Sequence, residues 1–197
     1  MQIKQLKQAI GPLWQSAMSI YCQVFPDWER EPVEALQHAV DDASSRCVVL
    51  YEGDCVYGVS LTELYPQHEF ALLGYLFIAP ERQGQGLGKQ LCNELFAFFQ
   101  QQQDLTWLLV EAETGPEAFY HKLGFSRFNI DYLSPHYDDM GSTPMALMSL
   151  SKAPNSLPSP QQLWDLVEHI FVQSYYLSST DPRLNHQRDN ILNKEAL

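Results

Sequence analysis

Apolar residues recur along the chain with two different periods, and these periods divide it into helices and strands. From about residue 5 to 24, Leu6, Ile10, Leu13, Trp14, Ala17, Ile20, Tyr21 and Val24 fall at helical spacing, which predicts an amphipathic helix. "FPDWEREP" interrupts it with prolines and carboxylates and reads as a loop. "VEALQHAVDDA" is a second helix candidate. "CVVLYEGDCVYGVSLTELY" holds two β-rich runs turned at Glu52-Gly53-Asp54, a hairpin signal. "FALLGYLFIAP" is apolar almost throughout, as in a strand covered on both faces. After a glycine cluster, Leu87, Leu91, Leu95 and Phe99 recur every four residues on one helical face. "LTWLLVEAE" predicts a strand, and "GPEAFYHKLGF" a short helix stopped by Gly124 in the C′ position. A further β-rich run, "PMALMSLS", follows. "KAPNSLPSP" is the best linker, "QQLWDLVEHIFVQSYYL" reads as a helix, and the polar closing residues are expected to be loosely held.

Composition narrows what such a chain can serve. With 12 basic against 24 acidic residues the net charge is −12, which argues against a nucleic-acid partner, because phosphate neutralisation needs clustered Lys and Arg. An acidic balance favours a cationic substrate or simply a soluble acidic protein. The 45% apolar and 18% charged shares are those of a globular chain. Cys22, Cys47, Cys55 and Cys92 have neither metal-site nor disulfide-scaffold spacing, so reduced thiols in a cytoplasmic protein are expected. "MQIKQLKQAIG" lacks the apolar core of a signal peptide, and no window approaches the ~18 apolar residues of a membrane span.

The chemistry starts at Gly84, Gly86 and Gly88, between an apolar strand and a helix. A helix N-terminus offers unpaired N–H groups and partial positive charge, and glycines let an anion approach the main chain. Lys89 and Arg82 add full charges, although a plain tight turn would also use glycines. A Walker A loop needs one more residue between its glycines and a Ser or Thr where Gln90 stands. The dinucleotide fingerprint needs G-x-G-x-x-G, whereas the spacing here is G-x-G-x-G.

Gln83-Gly84-Gln85-Gly86-Leu87-Gly88 meets Q/R-x-x-G-x-G/A and resembles the pyrophosphate-binding motif of the GCN5-related N-acetyltransferase (GNAT) superfamily, which binds acetyl-CoA. Residues 117–125, "EAFYHKLGF", resemble a second segment of that family, A-x-x-[FY]-Y-x-x-x-G-F, and "YLSPHY…TPMALM" resembles the closing segment of some members. The resemblance covers roughly residues 1–150. It implies an α/β fold: a twisted, mostly antiparallel mixed sheet flanked by helices. The expected organisation is a GNAT domain over 1–151, a linker over 152–160 and a helical C-terminal extension over 161–197.

The implied activity is direct transfer of an acetyl group from acetyl-CoA to a primary amine, without a metal, the acceptor being a small molecule or a peptide. Gln83, Gly84, Gln85, Gly86, Leu87, Gly88 and Lys89 would hold the pyrophosphate. Backbone groups of the stretch Leu76, Phe77 and Ile78 would bind the pantetheine arm, with Ile78 the donor to the thioester carbonyl. Tyr120 aligns with the tyrosine that protonates the departing thiolate in many members, although its bland alternative is a packed aromatic. Many relatives carry a glutamate where Gly74 stands in "GYLFI". Glu111, among Leu and Val, is the best replacement base. Glu113 lies two residues on, Glu69 and His68 could relay through water, and an amine arriving neutral would need no base. Asp27, Trp28, Glu29 and Glu31 would suit a cationic acceptor. Two rival uses are a non-catalytic acyl-CoA-binding module and a partner-binding or homodimer surface on the C-terminal helix, through Trp164, Phe171, Tyr175 and Tyr176.

Overall fold

A computed structural model describes residues 1–153 and 157–193, so the linker residues 154–156 and the last four residues lie outside the described chain. It groups into two compact units, Met1–Leu105 and Thr106–Leu197.

In the first unit, four strands pair antiparallel in chain order: β1 (Gln2–Leu6), β2 (Ser45–Glu52), β3 (Cys55–Tyr65) and β4 (Phe70–Ile78). Helices α1 (Gly11–Val24) and α2 (Val33–Asp41) cover one face, where Trp14, Tyr21, Leu36 and Val40 pack on Cys47, Val49, Val59, Leu61, Tyr75 and Phe77. The other face carries Val48 and Leu50 against Leu87 and Leu91 of α3 (Leu87–Gln101), with Leu76 and Ile78 at its margin. Both faces of the strands are thus covered, which is why "FALLGYLFI" is nearly continuous apolar sequence. The hairpin falls where expected, with Gly53 at φ 59°. The first helix starts later than its periodicity suggests. Residues 2–6 form an exposed strand instead, and Pro12, in the first turn of the helix after Gly11 at φ 84°, sets its beginning.

The second unit is organised around β8 (Ser142–Ser151). One edge pairs antiparallel with β5 (Trp107–Ala112), and the other with β6 (Ser126–Arg127) and β7 (Tyr132–Pro135). Helix α4 (Thr114–Lys122) follows β5. Helix α5 (Pro160–Gln173) begins in a capping box made by Ser159 and Gln162, and buries Leu163, Val167, Ile170 and Phe171. The closing residues, expected to be loose, include a second helix, α6 (Pro182–Leu192), capped by Asp181, which accepts from the Arg183 N–H. Its polar sequence hides it from periodicity; the Asp-Pro start was the available signal.

Candidate functional site

The residues that the sequence singles out fall in both units. In the first, β4 ends at Ile78 and a 3-10 turn, Pro80–Arg82, leads to extended Gln83. Gly84 then takes φ 74° and Gly86 φ 80°, with no atom within 4 Å of a β-carbon built on either. The requirement for glycine there is conformational, not spatial. Gly86 is the N-cap of α3, and its carbonyl accepts from Gln90 N at 3.1 Å. The N–H groups of Leu87, Gly88 and Lys89 belong to the first turn, which has no intrahelical acceptors to offer them. Leu87 is buried and anchors the turn, while Gln83, Gly84, Gln85, Gly86 and Lys89 are exposed. Gln83 Nε2 reaches back to the Ile78 carbonyl at 3.4 Å, and Arg82 lies 4.4 Å over the Tyr57 ring. A helix N-terminus with Lys89 in its first turn and Arg82 just before the loop has the charge and free donors by which such turns can hold an anion.

The side chains of Phe77 and Ile78 are taken up by packing. Phe77 is buried with Tyr21 and Phe25, and Ile78 fills space left by Gly58, where a β-carbon would stand 2.7 Å from Ile78 Cδ1. What these residues can offer a ligand is therefore their backbone. Gly58 was not among the residues singled out in the sequence, because its role depends on a cross-strand neighbour.

On the face under α1 and α2, Tyr75 holds the acidic loop. Its hydroxyl donates to Glu29 O and accepts from Glu31 N, both at 2.9 Å, and Tyr21 OH donates to Glu31 O at 3.1 Å. Burial, then the neighbouring Tyr75, pushes the Tyr21 phenol far above its ordinary range, so it stays a donor. Arg30 pairs with Asp27, and Glu31 is buried.

In the second unit, Tyr120 sits on α4 with 6% of its surface exposed, its ring edge-on to Phe125 at 5.5 Å between centroids. The helix closes in a Schellman arrangement: Phe125 N donates to Tyr120 O and Gly124 N to His121 O, both at 3.1 Å, with Gly124 at φ 96°. Local geometry thus fixes Tyr120 tightly.

Glu111 is half-buried on β5. Tyr132 OH donates to its Oε1 at 2.6 Å and Tyr175 OH to its Oε2 at 2.8 Å, while Tyr175 OH also meets Ser134 Oγ at 2.6 Å. Burial, followed by the Glu111 charge, holds the Tyr132 phenol well above its usual range and keeps it a donor. Glu113 does not continue the strand; it is the exposed N-cap of α4. His68 and Glu69 are exposed in the turn before β4. Of the aromatic residues proposed as a C-terminal interface, Trp164 and Phe171 are buried and Tyr175 is tied to Glu111, leaving Tyr176 exposed at 54%.

The model of the acetyltransferase (GNAT) family matches residues 14–125, more than half of the chain and including the glycine loop and Tyr120. The chain belongs to this family. No curated protein matches it. Among solved structures, a GNAT-family protein from Bacteroides thetaiotaomicron superposes with a TM-score of 0.73 at 18% identity, over 90% of this chain and 100% of that one. A spermidine N-acetyltransferase from Vibrio cholerae, solved with CoA and spermine, gives 0.57 at 19% identity over 77% and 96% of the two chains. An aminoglycoside 6'-N-acetyltransferase complexed with coenzyme A gives 0.58 at 15% identity over 80% and 100%. At these identities the likeness is one of fold, and the expected GNAT fold of α/β class is the one observed. Among the described residues no helix is long and apolar enough to cross a membrane.

Proposed function

We propose that this GNAT chain transfers an acetyl group from acetyl-CoA directly to a primary amine. The observation that carries the reading is the glycine loop: two residues at positive φ lead into the N-terminus of α3 beside Lys89, within the stretch that matches the family. The amides of Leu87, Gly88 and Lys89 hold the CoA diphosphate, with Gln83, Gly84, Gln85 and Gly86 shaping the loop around it. Backbone groups of Phe77 and Ile78 take the pantetheine arm and polarise the thioester carbonyl, lowering the cost of the developing oxyanion. Tyr120 gives its phenolic proton to the departing thiolate, a short step because a phenol of pKa about 10 lies close to a thiol. The coenzyme A complexes of the two named N-acetyltransferases support the choice of donor. Glu111 accepts a phenol on each carboxylate oxygen, which ties Tyr132 and Tyr175 to β5.

Calorimetric titration with acetyl-CoA, desulfo-CoA and ATP tests the loop, and thiol release with a panel of amines tests the chemistry. Binding of both CoA compounds but not ATP, with amine-dependent thiol release, is the expected result. Binding without release from any amine would favour a non-catalytic acyl-CoA module. No binding would overturn the reading.

A further inference from the structure

The strand that ends at the glycine loop, β4, carries an irregularity at Gly74, and a carboxylate lies over it. In the β3–β4 register Leu61 faces Tyr75 and Thr62 faces Leu73, so Gly74 is an extra residue, a bulge in β4. Bulges re-aim neighbouring side chains and recur beside active sites. Gly74 is exposed, and a β-carbon built on it would stand 3.1 Å from Glu63 Oε1. The space that a side chain at 74 would enter is therefore occupied by a carboxylate from the adjoining strand. Glu63 is half-buried, and Tyr65 OH donates to its Oε2. Two residues from Leu61 on β3, it lies on the sheet face under α1 and α2, where Leu61 packs and where Tyr75 grips the loop at Glu29 and Glu31. Gly74 precedes Phe77 by three residues, about 10 Å along the strand, a span that a file of two or three waters covers.

Resting on the acyltransferase reading, we propose that Glu63 is the base that deprotonates the acceptor amine, acting across Gly74. An alkylammonium has no lone pair for attack. Glu63 takes one N–H proton through that file of waters and becomes a neutral carboxylic acid. The freed nitrogen pair forms the C–N bond, the C–S bond breaks, and the thiolate is protonated as the nitrogen sheds its remaining extra proton; Glu63 returns its own proton to solvent. Tyr65 is bonded to Glu63, and the register partners of Glu63, Ser45 on β2 and Leu72 on β4, do not titrate. Glu29 and Glu31 stand in the loop that Tyr75 holds, and His68 and Glu69 in the turn before β4.

The test compares the full chain with Glu63→Gln, with Glu63→Ala and with the double variant Glu63→Ala, Gly74→Glu, using spermidine, kanamycin and a lysine-containing peptide as acceptors. Acetyl-CoA affinity is followed by calorimetry. The expected result is that Glu63→Gln keeps acetyl-CoA affinity but loses about 100-fold in kcat/KM at pH 7, with a rate that climbs about tenfold per pH unit as free amine accumulates. The double variant, which returns a carboxylate to the same space from β4, should recover at least about tenfold over Glu63→Ala alone. A Glu63→Gln rate within about threefold of wild type overturns the proposal, as does a loss that pH does not relieve. Transfer by the wild type to none of the three amines overturns the acyltransferase reading and this inference with it.

Discussion

Replacing Gly86 isolates the conformational demand of the glycine loop. At φ 80° the residue is in the left-handed region, and no atom lies within 4 Å of an added β-carbon. Gly86→Ala therefore causes no collision, and its whole cost is the left-handed penalty of about 1–2 kcal/mol. That cost has two ways to appear. If the loop keeps its shape, the variant loses about 1–2 kcal/mol of stability and binds acetyl-CoA normally. If the free loop relaxes to negative φ, the Leu87 to Lys89 amides turn away, and binding must restore them. The affinity then falls by about 5–30-fold, the equivalent of the same energy. Denaturant unfolding and calorimetry on one preparation measure both parts, and their sum should reach at least about 1 kcal/mol. Gly86→Asn supplies the control, because Asn tolerates the left-handed region, so the order of combined losses should be Ala above Asn above Gly. An Asn variant as impaired as Ala, or an Ala variant within about 0.5 kcal/mol of wild type on both measures, would refute the conformational argument.

Tyr120→Phe keeps the packing against Phe125, so it should retain fold and acetyl-CoA affinity while kcat falls by at least about 100-fold, read by thiol release. Gly58→Ala drives a methyl against Ile78 Cδ1 at 2.7 Å and Leu91 Cδ1 at 3.2 Å, and should cost about 1–3 kcal/mol in urea unfolding. Tyr132→Phe removes a charge-assisted bond to Glu111 and should cost about 1–3 kcal/mol, read by thermal unfolding. The Asp181 carboxyl is held below its ordinary value of 3.8, mainly by Arg183. Its contribution to α6 is thus complete above that value and lost as pH falls through the lower folded value; Asp181→Asn should abolish that acid-dependent loosening in amide exchange of α6.

What the sequence determined by itself about this protein is what a few neighbouring residues decide. The hairpin at Gly53, the glycine loop leading into α3, and the stop of α4 at Gly124 were all legible, because backbone conformation and capping depend on residues within a turn of one another. The alternating and four-residue apolar patterns likewise named the strands and helices with a buried face. Elements without such a face escaped: β1 is an exposed edge and α6 a polar helix. Only the tertiary structure decided which side chains meet across long stretches of chain. Tyr175 reaches Glu111 over 64 residues, and Tyr75 reaches Glu31 over 44. The approach of Glu63 to Gly74 depends on a bulge that moves the β3–β4 register by one residue. A one-residue slip changes which side chain faces which, and no local preference records it. The position that lacks a side chain in the sequence is filled from the neighbouring strand, and pairing register, a property of two segments together, is what brings that carboxylate there.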